Sequence, residues 1–182
     1  GGWLGWSSAV LQPATLRSLT VLSMPHPRRL RAALTRSARQ IRRSGQLVGL
    51  ALPYVPERQL VEDDAALVGE CLHNWSGPSW PPEDVEQTYR RVMMRPGVAG
   101  SALEYHRWVL RSLVRPDGVR YAQRMSAPIA APVLQIHGSL DGSMAPASAQ
   151  GAERYVLGAH RWRLLEGVGH FVHEEAPDLV LA

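Results

Sequence analysis

Apolar and polar positions change their period along this chain, and the changes mark out three regions. The run Leu19-Thr20-Val21-Leu22-Ser23-Met24 is short, mostly apolar and closed by Pro25 and Pro27, which predicts a buried strand over 19–24. From about residue 28 to 126 the apolar residues recur at helical spacing, at Leu30, Ala33 and Leu34 and again at Leu60, Ala65, Leu67 and Val68. Proline-rich breaks at 53–56 and 78–82 cut this region into several helices, and Pro82-Glu83-Asp84 has the proline and acids of a helix start. Beyond residue 127 the pattern alternates: Pro132 to His137 predicts a strand, Ser148 to Val156 a helix, Arg161 to Leu165 a strand and Glu174 onward a helix. Strands and helices alternating over short connections predict a parallel sheet covered by helices.

Ligands and reacting groups in such sheets gather beyond the C-terminal ends of the strands. Two loops occupy that position. One is His137-Gly138-Ser139-Leu140-Asp141-Gly142, and the other is Glu166-Gly167-Val168-Gly169-His170-Phe171. Each presents an ionisable side chain on a glycine-containing turn. A carboxylate can fix the tautomer of an imidazole and stabilise its charged form, so Asp141 and His170 fit the acid and the base of a triad. They stand 29 residues apart, room for one helix and one strand, in the chain order nucleophile, acid, histidine. Taken singly, Asp141 reads as a turn cap and His170 as a loop histidine. Together, in that order on successive strands, they read as a catalytic pair.

The segments VLQIHGSLDG and EGVGHFVHEEAP resemble the acid and histidine segments of the epoxide-hydrolase-like branch of the α/β-hydrolases. The opening GGWLGW and the later TVLSMPHP are similar to the segments after the nucleophile elbow in that branch. The resemblance implies the C-terminal part of an α/β-hydrolase fold: core segments at 1–27 and 127–182, with a helical lid at 28–126. It also implies an aspartate nucleophile upstream of Gly1, in an elbow of which Gly1 and Gly2 are the last residues. The parent enzyme would then open an epoxide through a covalent aspartyl ester, with Asp141 orienting His170 as general base, and the fragment alone would be inactive. A haloalkane dehalogenase, a serine ester hydrolase and a non-catalytic binding homologue are the alternatives on the same scaffold.

Lid tyrosines of epoxide hydrolases donate hydrogen bonds to the epoxide oxygen. In the matching segment, Leu103-Glu104-Tyr105-His106-Arg107, the tyrosine position falls on His106 with Tyr105 one place earlier, and the other tyrosine position falls near Gln46. Tyr105 and His106 are therefore the expected substrate-binding residues. Gly5-Trp6-Ser7-Ser8-Ala9 approximates a serine elbow, but too few residues precede it for the strand that motif requires.

Composition removes several other chemistries. All 20 basic residues are arginine, so a Schiff-base mechanism has no amine here. Eight arginines precede the first acid, Glu57, yet no nucleic-acid motif accompanies them, and they read as solvated helix faces rather than as a nucleic-acid surface. Cys71 is the only cysteine, which rules out an intrachain disulfide and favours a cytoplasmic setting. The longest apolar stretch, 47–52, is too short to span a bilayer. His170 and His173 lack the further ligands and the spacing of a zinc site. No metal or organic cofactor is implied, and the expected partner is a small apolar electrophile.

Overall fold

The computed structural model describes residues 1–36, 38, 40, 45, 49, 55–112 and 115–182, with the backbone alone at Thr35 and Leu110. Among the described residues, three parallel strands form the sheet in the order β1 (Leu19–Leu22), β2 (Val133–Gly138), β3 (His160–Leu165). Leu19 pairs with Val133 and Val133 with His160, while Gly138 pairs with Leu165 at the other end. Because β2 and β3 finish level, the loops that follow them leave the sheet side by side. Ser139 N–H donates to Leu165 O at 2.9 Å and Leu140 N–H to Val168 O at 2.9 Å, joining the two loops directly.

A parallel sheet needs both faces covered. On one face α1 (Gly2–Leu11) packs Trp6 and Ala9 against Leu19, Val21 and Val133. On the other, Ile136 and Leu165 pack with Val168 and Val172. Each such fully buried aliphatic side chain contributes roughly 1.5–3 kcal/mol.

Between β1 and β2 the described residues form six helices: α2 (Pro27–Arg36), α3 (Val55–Gln59), α4 (Glu62–Trp75), α5 (Glu83–Met93), α6 (Val98–Ser112) and α7 (Pro116–Arg124). Leu60, Val68, Leu72, Trp80 and Leu103 form a second core here, and Phe171, next to His170, packs against it. The helical region and the histidine loop thus share apolar contacts.

Three predicted elements differ in detail. The first turn of α4 is left-handed at Asp63, Asp64 and Ala65, with φ of 49°, 56° and 57°. Its freed carbonyls are held by Arg90, whose guanidinium donates to Asp64 O at 2.7 Å and to Asp63 O at 3.2 Å. The helix expected over 148–156 is two short pieces, α8 (Pro146–Ala149) and a 3-10 turn (Ala152–Tyr155). Gly151, left-handed at φ 82°, separates them, a conformation that glycine takes without steric cost. The last helix is likewise divided, into α9 (Val172–Glu175) and α10 (Pro177–Leu181), because Pro177 disfavours the helical conformation at Ala176.

Candidate functional site

Asp141 is completely buried in the turn after β2. Its Oδ1 accepts the N–H groups of Ser143 at 2.8 Å and Met144 at 2.7 Å, so its own turn fixes the carboxylate plane. Oδ2 faces the neighbouring loop and lies 2.9 Å from Nδ1 of His170. Burial pushes the Asp141 carboxyl up, but hydrogen bonds from His137 and His170 and their attraction for its charge pull harder, and the net pKa lies below the ordinary aspartate value.

His170 follows β3, and its side chain is 24% exposed. An ionised Asp141 accepts and does not donate, which places the proton on Nδ1 and leaves Nε2 with a lone pair. The rings of Trp75 and Phe171 meet the imidazole edge-on, with centroids 5.9 Å and 5.3 Å away. A buried acid and an imidazole that it orients, on a partly exposed side chain with its Nε2 lone pair free of a proton, can activate a water molecule or a hydroxyl group.

Asp141 and His170 come together as the spacing predicted. Tyr105 and His106 lie on α6, and no hydrogen bond or ring contact joins either to that pair among the described residues. Tyr105 is 64% exposed, and His106 Nδ1 bonds Ala102 O of its own helix at 3.2 Å. The Gln46 position lies outside the described residues. Ser7 sits within α1, where its hydroxyl donates to Trp3 O at 2.8 Å and meets the Tyr121 hydroxyl at 2.7 Å. His173 pairs with Glu174 at 3.6 Å. Burial, then the charge of Glu70, pushes the Cys71 thiol up, away from thiolate chemistry.

Two further side chains serve the acid loop without having been singled out in the sequence. His137, four residues before Asp141 and fully buried, places Nε2 3.1 Å from Oδ2 and 3.0 Å from Met144 O. Both neighbours are acceptors, so Nε2 carries the proton, and the ring stacks on Trp162 at 5.7 Å. The signal available was a histidine inside an otherwise buried strand run. Gln40, also buried, donates to Ser143 O at 3.3 Å and accepts from Ala145 N–H at 2.9 Å. Nothing in the sequence around Gln40 points to a partner more than a hundred residues away.

No protein-family model matches the chain. Human Epoxide hydrolase 4 is 23% identical over 186 residues, which include 99% of this chain and 49% of that protein. The crystal structure of an epoxide hydrolase of Bacillus megaterium bound to an inhibitor superposes with a TM-score of 0.81 at 21% identity, over all of this chain and 63% of its own. One of the epoxide hydrolases of the α/β-hydrolase superfamily found in metagenomes from hot environments gives 0.77 at 20% identity, over 98% and 61%. The chain spans about half the length of the curated relative it matches. With its parallel sheet, its covering helices and these likenesses, the chain has part of an α/β-hydrolase fold.

Proposed function

We propose that this chain supplies the acid and the histidine of an enzyme that hydrolyses a small apolar epoxide through an ester on an aspartate. The observation that supports it best is the 2.9 Å contact between His170 Nδ1 and the buried, hydrogen-bonded Asp141. In this reading the nucleophile belongs to polypeptide beyond these 182 residues, 1–27 and 127–182 form the core, and the helices of 28–126 form a lid.

The first step forms a bond between a carboxylate oxygen and an epoxide carbon while the ring C–O bond breaks, and the freed oxygen takes a proton from a lid donor. Tyr105 and His106 are the candidates. With its Nδ1 proton on Ala102 O, His106 presents an accepting Nε2, so Tyr105 is the better donor of the two. In the second step His170 Nε2 takes a proton from water, whose oxygen adds to the ester carbonyl. Asp141 stabilises the imidazolium. The tetrahedral intermediate expels the diol alkoxide, which takes the proton back from His170, and the aspartic acid left behind returns its proton through solvent to the lid donor.

The test is a single turnover of the full-length protein in excess over an aryl epoxide in ¹⁸O-water. The diol of the first turnover carries no label, because its new oxygen comes from the aspartate. One labelled oxygen per diol overturns the ester mechanism. Release of halide from a haloalkane, or of acid from an ester, without diol formation assigns one of the other reactions of this scaffold.

A further inference from the structure

The carboxylate of Glu175, at the end of α9, accepts three backbone N–H groups. Oε1 takes Phe171 N–H at 2.9 Å, while Oε2 takes Gly169 N–H at 2.7 Å and Gly77 N–H at 2.8 Å. Phe171 and Gly169 flank His170 on either side. Gly77 belongs to the connection between α4 and α5, 98 residues away in the chain. Capping of α9 accounts for the bond to Phe171, but not for the two at Oε2.

The segment held in this way meets both candidate loops. The carbonyl of Trp75 accepts His170 N–H at 2.8 Å and Gly142 N–H at 3.3 Å, so one oxygen joins the backbone of the histidine to the residue after Asp141. Backbone lies on backbone here: a Cβ on Gly169 would stand 2.3 Å from Ser76 Cα, and one on Gly77 would stand 2.7 Å from Gly167 O. The adjacent Glu174 is engaged separately, accepting from the Tyr89 hydroxyl of α5 at 2.6 Å.

We propose that Glu175 is a positioning residue for the reaction, fastening the histidine loop to residues 75–77 so that the Trp75 carbonyl holds His170 in register with Asp141. The helical region is then a structural part of the site and not only its cover. This inference rests on the hydrolase reading for its kinetic consequence, but not for its geometric one. An imidazole displaced by about 1 Å still permits attack of an aspartate on an epoxide, yet it slows water attack on the ester by about 10². Loss of Glu175 therefore stalls the second step and leaves the first.

The experiment uses the full-length protein with Glu175→Ala, Glu175→Gln and, as a control, Glu174→Gln. The expected result for Glu175→Ala is a fall of about 10² in kcat with a parallel fall in KM as the ester accumulates, and about tenfold in kcat for Glu175→Gln, which keeps one accepting oxygen. Glu174→Gln stays within a few-fold of the parent. In parallel, ¹⁵N-histidine labelling follows the low-field Nδ1–H proton of His170, assigned by its absence from His170→Gln, which should broaden or vanish in both Glu175 variants. A folded Glu175→Ala with kcat within threefold of the parent and an intact Nδ1–H signal overturns the proposal. Should Glu175→Ala fail to fold, unchanged kcat and signal in Glu175→Gln overturn it equally. If the parent forms no ester with any epoxide, the functional reading falls, and the Nδ1–H signal alone decides whether Glu175 holds His170 on Asp141.

Discussion

Nε2 of His137 lies 3.1 Å from the same Oδ2 of Asp141 that takes Nδ1 of His170 at 2.9 Å. Two imidazoles on one oxygen, with two backbone N–H groups on the other, keep a carboxylate ionised in a fully buried site. Such charge-assisted bonds are each worth about 1.5–3 kcal/mol when their removal strands a buried charge. His137→Leu in the full-length protein should accordingly cost stability in that range and raise the Asp141 pKa. His137→Gln, whose amide reaches the Nε2 position, should cost less than half as much. Urea unfolding of the two variants checks this, and equal losses would show that the ring matters for its packing on Trp162 and not for its N–H.

Acid should weaken the fold in two phases with different owners. His26 is fully buried, stacked on Tyr155 at 4.3 Å, and burial followed by the charge of Arg28 pushes its pKa down to about 4. Between pH 6.5 and 4 the unfolded chain binds a proton that the folded chain refuses, so stability falls as pH falls through that window, by about 3 kcal/mol in all. Asp141 acts lower. Its folded pKa is depressed, so its contribution is complete above the ordinary aspartate value of about 3.9 and is lost as pH drops below it. Urea midpoints measured from pH 7 to 3 should lose the first phase in His26→Phe and keep the second.

Two glycine-to-alanine changes should act in opposite directions. A Cβ on Gly142 would lie 1.9 Å from Asn74 O, a clash of backbone with backbone that no rotamer relieves. Gly142→Ala should cost about 2 kcal/mol or more and push the Asp141 loop away from Trp75. Gly100 lies within α6, and a methyl group added there would meet nothing inside 4 Å. Gly100→Ala should stabilise by roughly 0.5–1 kcal/mol through helix propensity and the unfolded chain's lost freedom. Thermal melts of the pair read the sign directly, and a neutral Gly142→Ala would mean that the helical region does not press on the acid loop.

The sheet and its two loops were legible because period and punctuation are local. The apolar run from Val133 to Ile136 breaks into Gly138 and Asp141, and residues 161–165 into Gly167 and His170, so chain order alone set acid beside base. What the sequence concealed lies in contacts between distant segments. Gln40 meets Ser143 and Ala145, and Trp75 O meets Gly142 and His170, through backbone groups that leave no residue-type signature. Glu175 falls within the helix expected from Glu174 onward and carries no signal of its own there, since its partners are amides that every residue but proline possesses. Local breaks were missed where a single dihedral decides, as at Gly151 and Ala176, because helical spacing continues through a residue that leaves the helix.

The division of labour between an aspartate nucleophile and His170 yields the sharpest prediction. A carboxylate is ionised at neutral pH and attacks an epoxide carbon without a base, whereas a serine hydroxyl must first give up its proton to the histidine. In the full-length protein, His170→Gln should therefore complete the first step and stall at the second. Mass spectrometry after mixing with an aryl epoxide should show one adduct per protein, on an aspartate outside these 182 residues, that persists for many parental turnover times. Product should not exceed about one equivalent. Asp141→Asn should act in the same direction but less completely, because the imidazole keeps its place while losing the charge that stabilises its protonated form. A His170→Gln protein that binds substrate without forming an adduct points to serine chemistry or to none, and one that turns over at the parental rate removes His170 from the reaction.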